Sequence, residues 1–113
     1  MNDFERETEG FIQKLYETET CKEYFRQKEY VEQYPELKAQ IDEFRQRNYR
    51  LQNETDSNIL FDEIDRFERE YEEFRKNPIV SDFLAAELAF CRMYQEINDK
   101  IAIAFAKEFD LSG

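Results

Sequence analysis

The segment NPIVSDFLAAELAFCRMYQEI, residues 77–97, is the least charged stretch of a chain in which 38% of residues are Asp, Glu, Lys or Arg. Its apolar positions recur at helical spacing. Continued to about residue 109 and plotted at about 100° per residue, Ile79, Val80, Phe83, Leu84, Leu88, Phe90, Cys91, Tyr94, Ile97, Ile101 and Phe105 fill an arc of roughly 180°. Ala86, Met93 and Ala104 widen the arc to about 220°. The polar remainder is narrow: Ser81, Asp82, Arg92, Glu96, Asp99 and Lys100. A helix packed on one neighbour needs a narrower stripe. This one reads as the central helix of a bundle, or as a helix that also belongs to a subunit interface.

Working outward from that helix, Pro78 opens it and ends the one before. In the fourth segment Leu60, Ile64, Phe67, Tyr71 and Phe74 make one apolar seam. Its outer face offers Asp62–Arg66, Asp65–Arg69 and Glu72–Lys76 as i,i+4 pairs in the favourable acid-first order. The polar run NETDSN, 53–58, reads as a loop, with Asp56 or Ser57 as the next N-cap. The third segment repeats the seam with Leu37, Ile41, Phe44 and Leu51, Asn48 taking the skipped position. Pro35 suits its first turn and disfavours helical geometry in Tyr34, so the second helix stops near Gln33. That second helix buries Cys21, Tyr24, Phe25 and Val31, and Thr20 with Glu23 reads as its capping box. Phe4, Phe11, Ile12, Leu15 and Tyr16 share a face of the first. The expectation is all-α: a bundle of four to five helices (about 4–18, 20–33, 35–52, 57–76 and 78–109) in a single domain, 1–113.

Composition supports long helices over sheets. The 113 residues include two Gly and two Pro, too few for repeated hairpins or a phosphate-cradling loop. Phe and Tyr make up 16% of the chain, so its core draws on aromatic rings, each removing roughly 150–250 Å² from water. A net charge of −11 argues against direct contact with nucleic acid or an anionic membrane surface. The basic cluster Arg45, Arg47 and Arg50 reads as a solvated helix face paired with nearby acids. No run approaches the ~20 apolar residues of a membrane span, and MNDFERETEG lacks the features of a signal peptide. A cytoplasmic protein is expected, with Cys21 and Cys91 reduced and buried as small hydrophobes.

Candidates for chemistry are sparse. Without His the chain lacks the usual catalytic base and the commonest zinc ligand, and two Cys outside a CxxC pair cannot build a thiolate metal site. No nucleophile elbow, P-loop or dinucleotide fingerprint is present. A non-enzymatic protein with no cofactor and no metal is expected. Glu87 stands out, because it falls near the centre of the apolar arc. A carboxylate there is paired, hydrogen-bonded, protonated or reached by water, because an isolated buried charge is too costly. One reading is a structural acid bonded to a Tyr or Arg of another helix. The other is a ligand group at a pocket in the bundle. Gln95 and Asn98 nearby read as interhelical hydrogen-bond formers.

Three stretches together carry a family resemblance. The pattern N-P-x-V-x-x-F-L-x-A-E-x-x-F-x-x-x-x-Q-E-I, from Asn77 to Ile97, resembles the signature helix of the YlbF/YmcA family of small helical bacterial proteins. TCKEYF at 20–25 and YPELKAQIDEFR at 34–45 resemble that family's second and third segments. The resemblance implies an all-helical protein that self-associates, and places Pro78, Phe83, Leu84, Glu87, Phe90, Gln95 and Ile97 at signature positions, as core or interface. It further implies a regulatory role beside related small helical proteins or RNA-processing factors, in a complex that influences RNase Y-dependent RNA processing and through it competence, sporulation or biofilm formation. Some members carry C-terminal cysteines associated with iron–sulfur clusters. This chain has no Cys after Cys91, so no cluster is expected.

Overall fold

The computed structural model describes residues 2–54 and 56–108, with the side chains of 57–59 outside the described set. Among these residues there are five helices and no strand: α1 (Asp3–Tyr16), α2 (Glu19–Glu32), α3 (Pro35–Gln52), α4 (Ser57–Phe74) and α5 (Pro78–Phe105). The chain is all-α, with a long C-terminal helix. Ala106–Glu108 turn away from helical geometry after Phe105, and position 109, the expected end of α5, lies outside the described residues.

Helix starts follow the short polar side chains and the prolines. Asn2 Oδ1 accepts from the Glu5 amide at 2.7 Å and caps α1. At α2 the cap is Thr18 and not Thr20: the Thr18 hydroxyl oxygen accepts from Cys21 N at 3.2 Å, and Thr20 already lies inside the helix. The two threonines offer the same chemistry, so the earlier one wins because α1 ends at Tyr16 and brings Thr18 first into extended reach. Pro35 occupies the first turn of α3 after a non-helical Tyr34. The Asp56 carbonyl accepts from Leu60 N at 2.9 Å, which puts Asp56 at the start of α4; the Ser57 side chain lies outside the described residues. Asn77 caps α5, its Oδ1 accepting from Ile79 N and its carbonyl from Ser81 N, both at 2.9 Å.

Two units divide the chain. Arg26–Leu84 form a central unit, and the described residues up to Phe25 and from Ala85 onward form a terminal unit; α2 and α5 contribute to both. In the central unit α3 packs on α4 in antiparallel register, Phe44 meeting Phe67, Tyr71 and Phe74, and Arg47 meeting Glu70. Phe44 stacks on Phe74 with centroids 4.9 Å apart, while Phe67 and Tyr71 meet it edge-on at 5.7 Å. The Arg47 guanidinium lies 5.3 Å from the centroids of both Phe44 and Phe67, sealing the cluster while bonding to Glu70. Among the described residues of this unit Val31, Ile41, Val80 and Phe83 are buried. Each buried aliphatic or aromatic side chain contributes roughly 1.5–3 kcal/mol, so this is where folding energy concentrates.

In the terminal unit Cys21 and Ala86 are buried. Tyr24 stacks on Phe90 at 4.6 Å with planes 16° apart, Phe25 lies between Phe90 and Tyr16, and the Thr18 hydroxyl approaches Met93 Sδ at 3.9 Å. α1 buries no residue.

Three further sequence expectations change. Cys91 is exposed, not buried. It sits at the margin of the apolar arc, and helical periodicity locates a face without saying whether anything covers it. Phe25 stays partly exposed, although its ring packs edge-on against Tyr16. Lys76 bonds to Glu73 at 2.9 Å in place of Glu72, because the helix ends at Phe74 and the turn redirects the lysine to the i,i+3 acid. Asp65 and Arg69 pair as the spacing predicts.

Candidate interaction surface

The seven signature residues of α5 divide between the two units. Pro78, Phe83 and Leu84 belong to the central unit; Glu87, Phe90, Gln95 and Ile97 belong to the terminal one. Pro78 is exposed in the first turn, where its missing N–H costs nothing. Phe83 is 6% exposed, with the Arg45 guanidinium 5.6 Å above its ring. Leu84 is half-buried and lines a groove with α3 and α4. Phe90 is half-buried against Tyr24; Glu87 and Ile97 are half-buried, and Gln95 is exposed. These placements make core of Phe83 and packed contact of Leu84 and Phe90.

Glu87 keeps contact with water, and no charged or polar side chain among the described residues is fully buried. A half-exposed carboxylate avoids the desolvation cost that its central place on the helical wheel implied. The groove beside Leu84 is lined by Ile41, Phe44, Phe67 and their neighbours, and Glu87 is not among its lining residues.

The largest feature of the terminal unit is apolar surface left in water. On α5, Tyr94, Ile101 and Phe105 fall within about 40° of one another on the helical wheel, and all three are half or more exposed. On α1, Phe4 and Phe11 share a face with Leu15, and Phe4 is 77% exposed. Ile12 and Tyr16 flank that face and are exposed as well. Single exposed apolar residues are ordinary, but two helix faces of bulky side chains in one unit make a candidate interaction surface. The signal was present in the sequence as the excess width of the apolar arc; which end of it goes uncovered was not.

Glu73 beside Lys76 holds that ammonium above its ordinary range, through the hydrogen bond first and the charge second. A hydrogen bond shared with Tyr34 raises the Tyr30 phenol. Two of the three arginines of FRQRNYR meet acids and rings: Arg47 bonds Glu70, and Arg45 lies 4.0 Å from Asp42. Among the described residues no cluster of three or more His, Cys, Asp or Glu side chains is placed to hold a metal ion, and no helix is long and apolar enough to cross a membrane.

A family model described as control of competence regulator ComK, YlbF/YmcA, matches residues 5–104. The chain belongs to the YlbF/YmcA family. The match spans all five helices, from the third residue of α1 to the penultimate residue of α5. Neither curated proteins nor solved structures gave a match. YlbF/YmcA is by description a family of competence control, and in this YlbF/YmcA protein the uncovered faces of α1 and distal α5 lie within the matched region apart from Phe4 and Phe105.

Proposed function

We propose that this protein is a non-enzymatic regulatory adaptor of the cytoplasm that works through protein–protein contacts, beginning with its own self-association. The observation that carries the reading is the uncovered apolar surface of α1 and distal α5 in a chain of a regulatory family. Burying such faces against a second chain removes apolar area from water at roughly 25 cal/mol per Å² before the costs of association. On this reading the adaptor works in a complex with related small helical proteins or RNA-processing factors, influencing RNase Y-dependent RNA processing and hence competence, sporulation or biofilm formation; the description of its family as one of competence control supports the last step. With a net charge of −11 it leaves nucleic-acid contact to its partners. The same reading treats the 113 residues as one folding domain, since α2 and α5 supply residues to both units; a single calorimetric transition is expected.

Sedimentation equilibrium tests the first step. The protein is expected to self-associate, and more tightly at ~0.5 M than at ~0.05 M salt, because screening weakens repulsion between acidic copies while leaving apolar burial intact. A monomer at every salt concentration and at ~100 μM protein would count against it, since even weak self-association is populated there. Affinity capture from the native cell then tests the finer reading: recovery of RNA-processing factors supports it, and their absence removes it.

A further inference from the structure

The central unit carries a polar pocket of about 350 Å³ between the end of α3 and the facing stretch of α4, lined by Arg47, Arg50, Leu51, Glu54, Glu63 and Arg66. We infer that this pocket binds a small organic phosphate monoester, with Arg50 and Arg66 clasping the phosphate. The proposal goes beyond the adaptor reading and does not depend on it, because every lining residue lies within Arg26–Leu84.

Charge directs the reading first. Helical spacing offers each arginine an acid: Glu54 lies one turn after Arg50, and Asp62 one turn before Arg66. Among the described residues neither pair forms, and neither guanidinium has another partner. Glu54 accepts from the Asp56 amide at 3.0 Å, and Arg47 is held by Glu70. Three guanidiniums against two carboxylates leave the pocket positive in a chain of net charge −11. Two unpaired guanidiniums brought to one space from two helices repel each other, and an anion between them removes that repulsion. Geometry then chooses the anion. A guanidinium is a planar fork that grips two oxygens, so one arginine fills one carboxylate. A phosphate monoester has three terminal oxygens and about −1.5 to −2 charges at pH 7, and satisfies two forks at once. Size chooses the rest of the ligand. Small-molecule pockets begin at roughly 300 Å³, more than a lone oxyanion fills, so an organic body occupies the remaining space. Leu51 offers that body an apolar contact, and Glu63, which has no other partner among the described residues, accepts from a hydroxyl. A sugar phosphate supplies both.

The test is an amide NMR titration of the full chain at low salt and pH ~7.5, where the ester is a dianion, with glucose 6-phosphate, glucuronate, inorganic phosphate and acetyl-phosphoserine-amide. Saturable shifts centred on Arg50, Leu51 and Arg66 are expected with glucose 6-phosphate. Glucuronate, with its single carboxylate, is expected to bind ~10-fold more weakly, and inorganic phosphate, without the body, also more weakly. Arg50→Gln and Arg66→Gln, both on exposed side chains, are each expected to weaken binding of the ester ~10-fold without changing helical circular dichroism. Arg69→Gln removes the same charge from α4 outside the pocket and is expected to leave the affinity within ~2-fold. Equal weakening by Arg69→Gln reduces the effect to net charge and overturns the site. Absence of saturation at ~10 mM glucose 6-phosphate overturns it too, because two charge-assisted forks bind below that concentration. Shifts centred outside the pocket overturn its location. Glucuronate bound as tightly as the ester overturns the phosphate, and inorganic phosphate bound as tightly overturns the organic body. Phosphoserine bound ~10-fold more tightly than glucose 6-phosphate overturns the small molecule in favour of a modified polypeptide.

Discussion

The two units differ in which helix faces are covered, although the central unit too leaves aromatics in water, with Tyr49 70% and Phe61 76% exposed. In the central unit Phe44, Phe67, Tyr71 and Phe74 face one another, with Arg47 laid over two of the rings. In the terminal unit Tyr24 and Phe90 stack, but Phe4, Phe11, Tyr94 and Phe105 meet water. Both sets of helices are amphipathic in sequence. What differs is whether a second apolar face lies opposite. α3 and α4 are joined by a short loop and supply each other's cover; α1 buries nothing. Apolar faces that find a partner in the same chain become core, and those that do not stay in water as the surface proposed above for recognition.

Replacing a residue from each kind of surface breaks the contrast most directly. Phe83→Ala, at a 6%-exposed position, is expected to cost about 3–5 kcal/mol in denaturant unfolding, a large part of a small domain's stability. Ile101→Asp, on the uncovered face of α5, is expected to lower the association constant by ~10–100-fold while helical circular dichroism persists, as removal of an interface anchor does. Loss of helicity in Ile101→Asp would make that face core and erase the distinction between the units. Phe90→Asp gives the opposite pattern, because its ring is stacked on Tyr24 within the unit: helicity and melting temperature fall together.

Finer substitutions sharpen the comparison. Arg47→Ala is expected to cost about 1 kcal/mol, combining a partly exposed ion pair with ring stacking, and Arg47→Lys to recover less than half, since an ammonium keeps the charge and loses the planar face. Thr18→Ala is expected to cost about 1 kcal/mol as a lost N-cap, and Thr20→Ala less than about 0.5 kcal/mol; the reverse order would restore the capping box read at Thr20. The smallest effect is at Lys76. Its pKa is raised, so the bond to Glu73 holds below the lysine's ordinary range and is lost as pH climbs through the raised value. Glu73→Gln is expected to return the Lys76 pKa toward that of an exposed lysine in an NMR titration.

Much of this architecture was legible because helical periodicity and capping are local. Pro35 and Pro78 start α3 and α5, and the seams of α3 and α4 predict the Phe44–Phe67–Tyr71–Phe74 cluster by content, if not by geometry. The ordered signature from Asn77 to Ile97, with its two upstream stretches, was also enough to place the chain in its family. Cys91, Glu87 and the choice between Thr18 and Thr20 were not legible in the same way. A wheel gives direction from the helix axis, but burial needs a neighbour in that direction.

The sequence by itself determined that the chain is helical, where its helices break, which face of each is apolar, and the family to which it belongs, because all of these follow from spacing along one strand of residues. Only the tertiary structure decided which parts of an apolar face are covered: Val80 is fully buried while Ile101, on the same arc of the same helix, is 54% exposed. Burial is a property of pairs of surfaces brought together across the chain, and no single helix contains it.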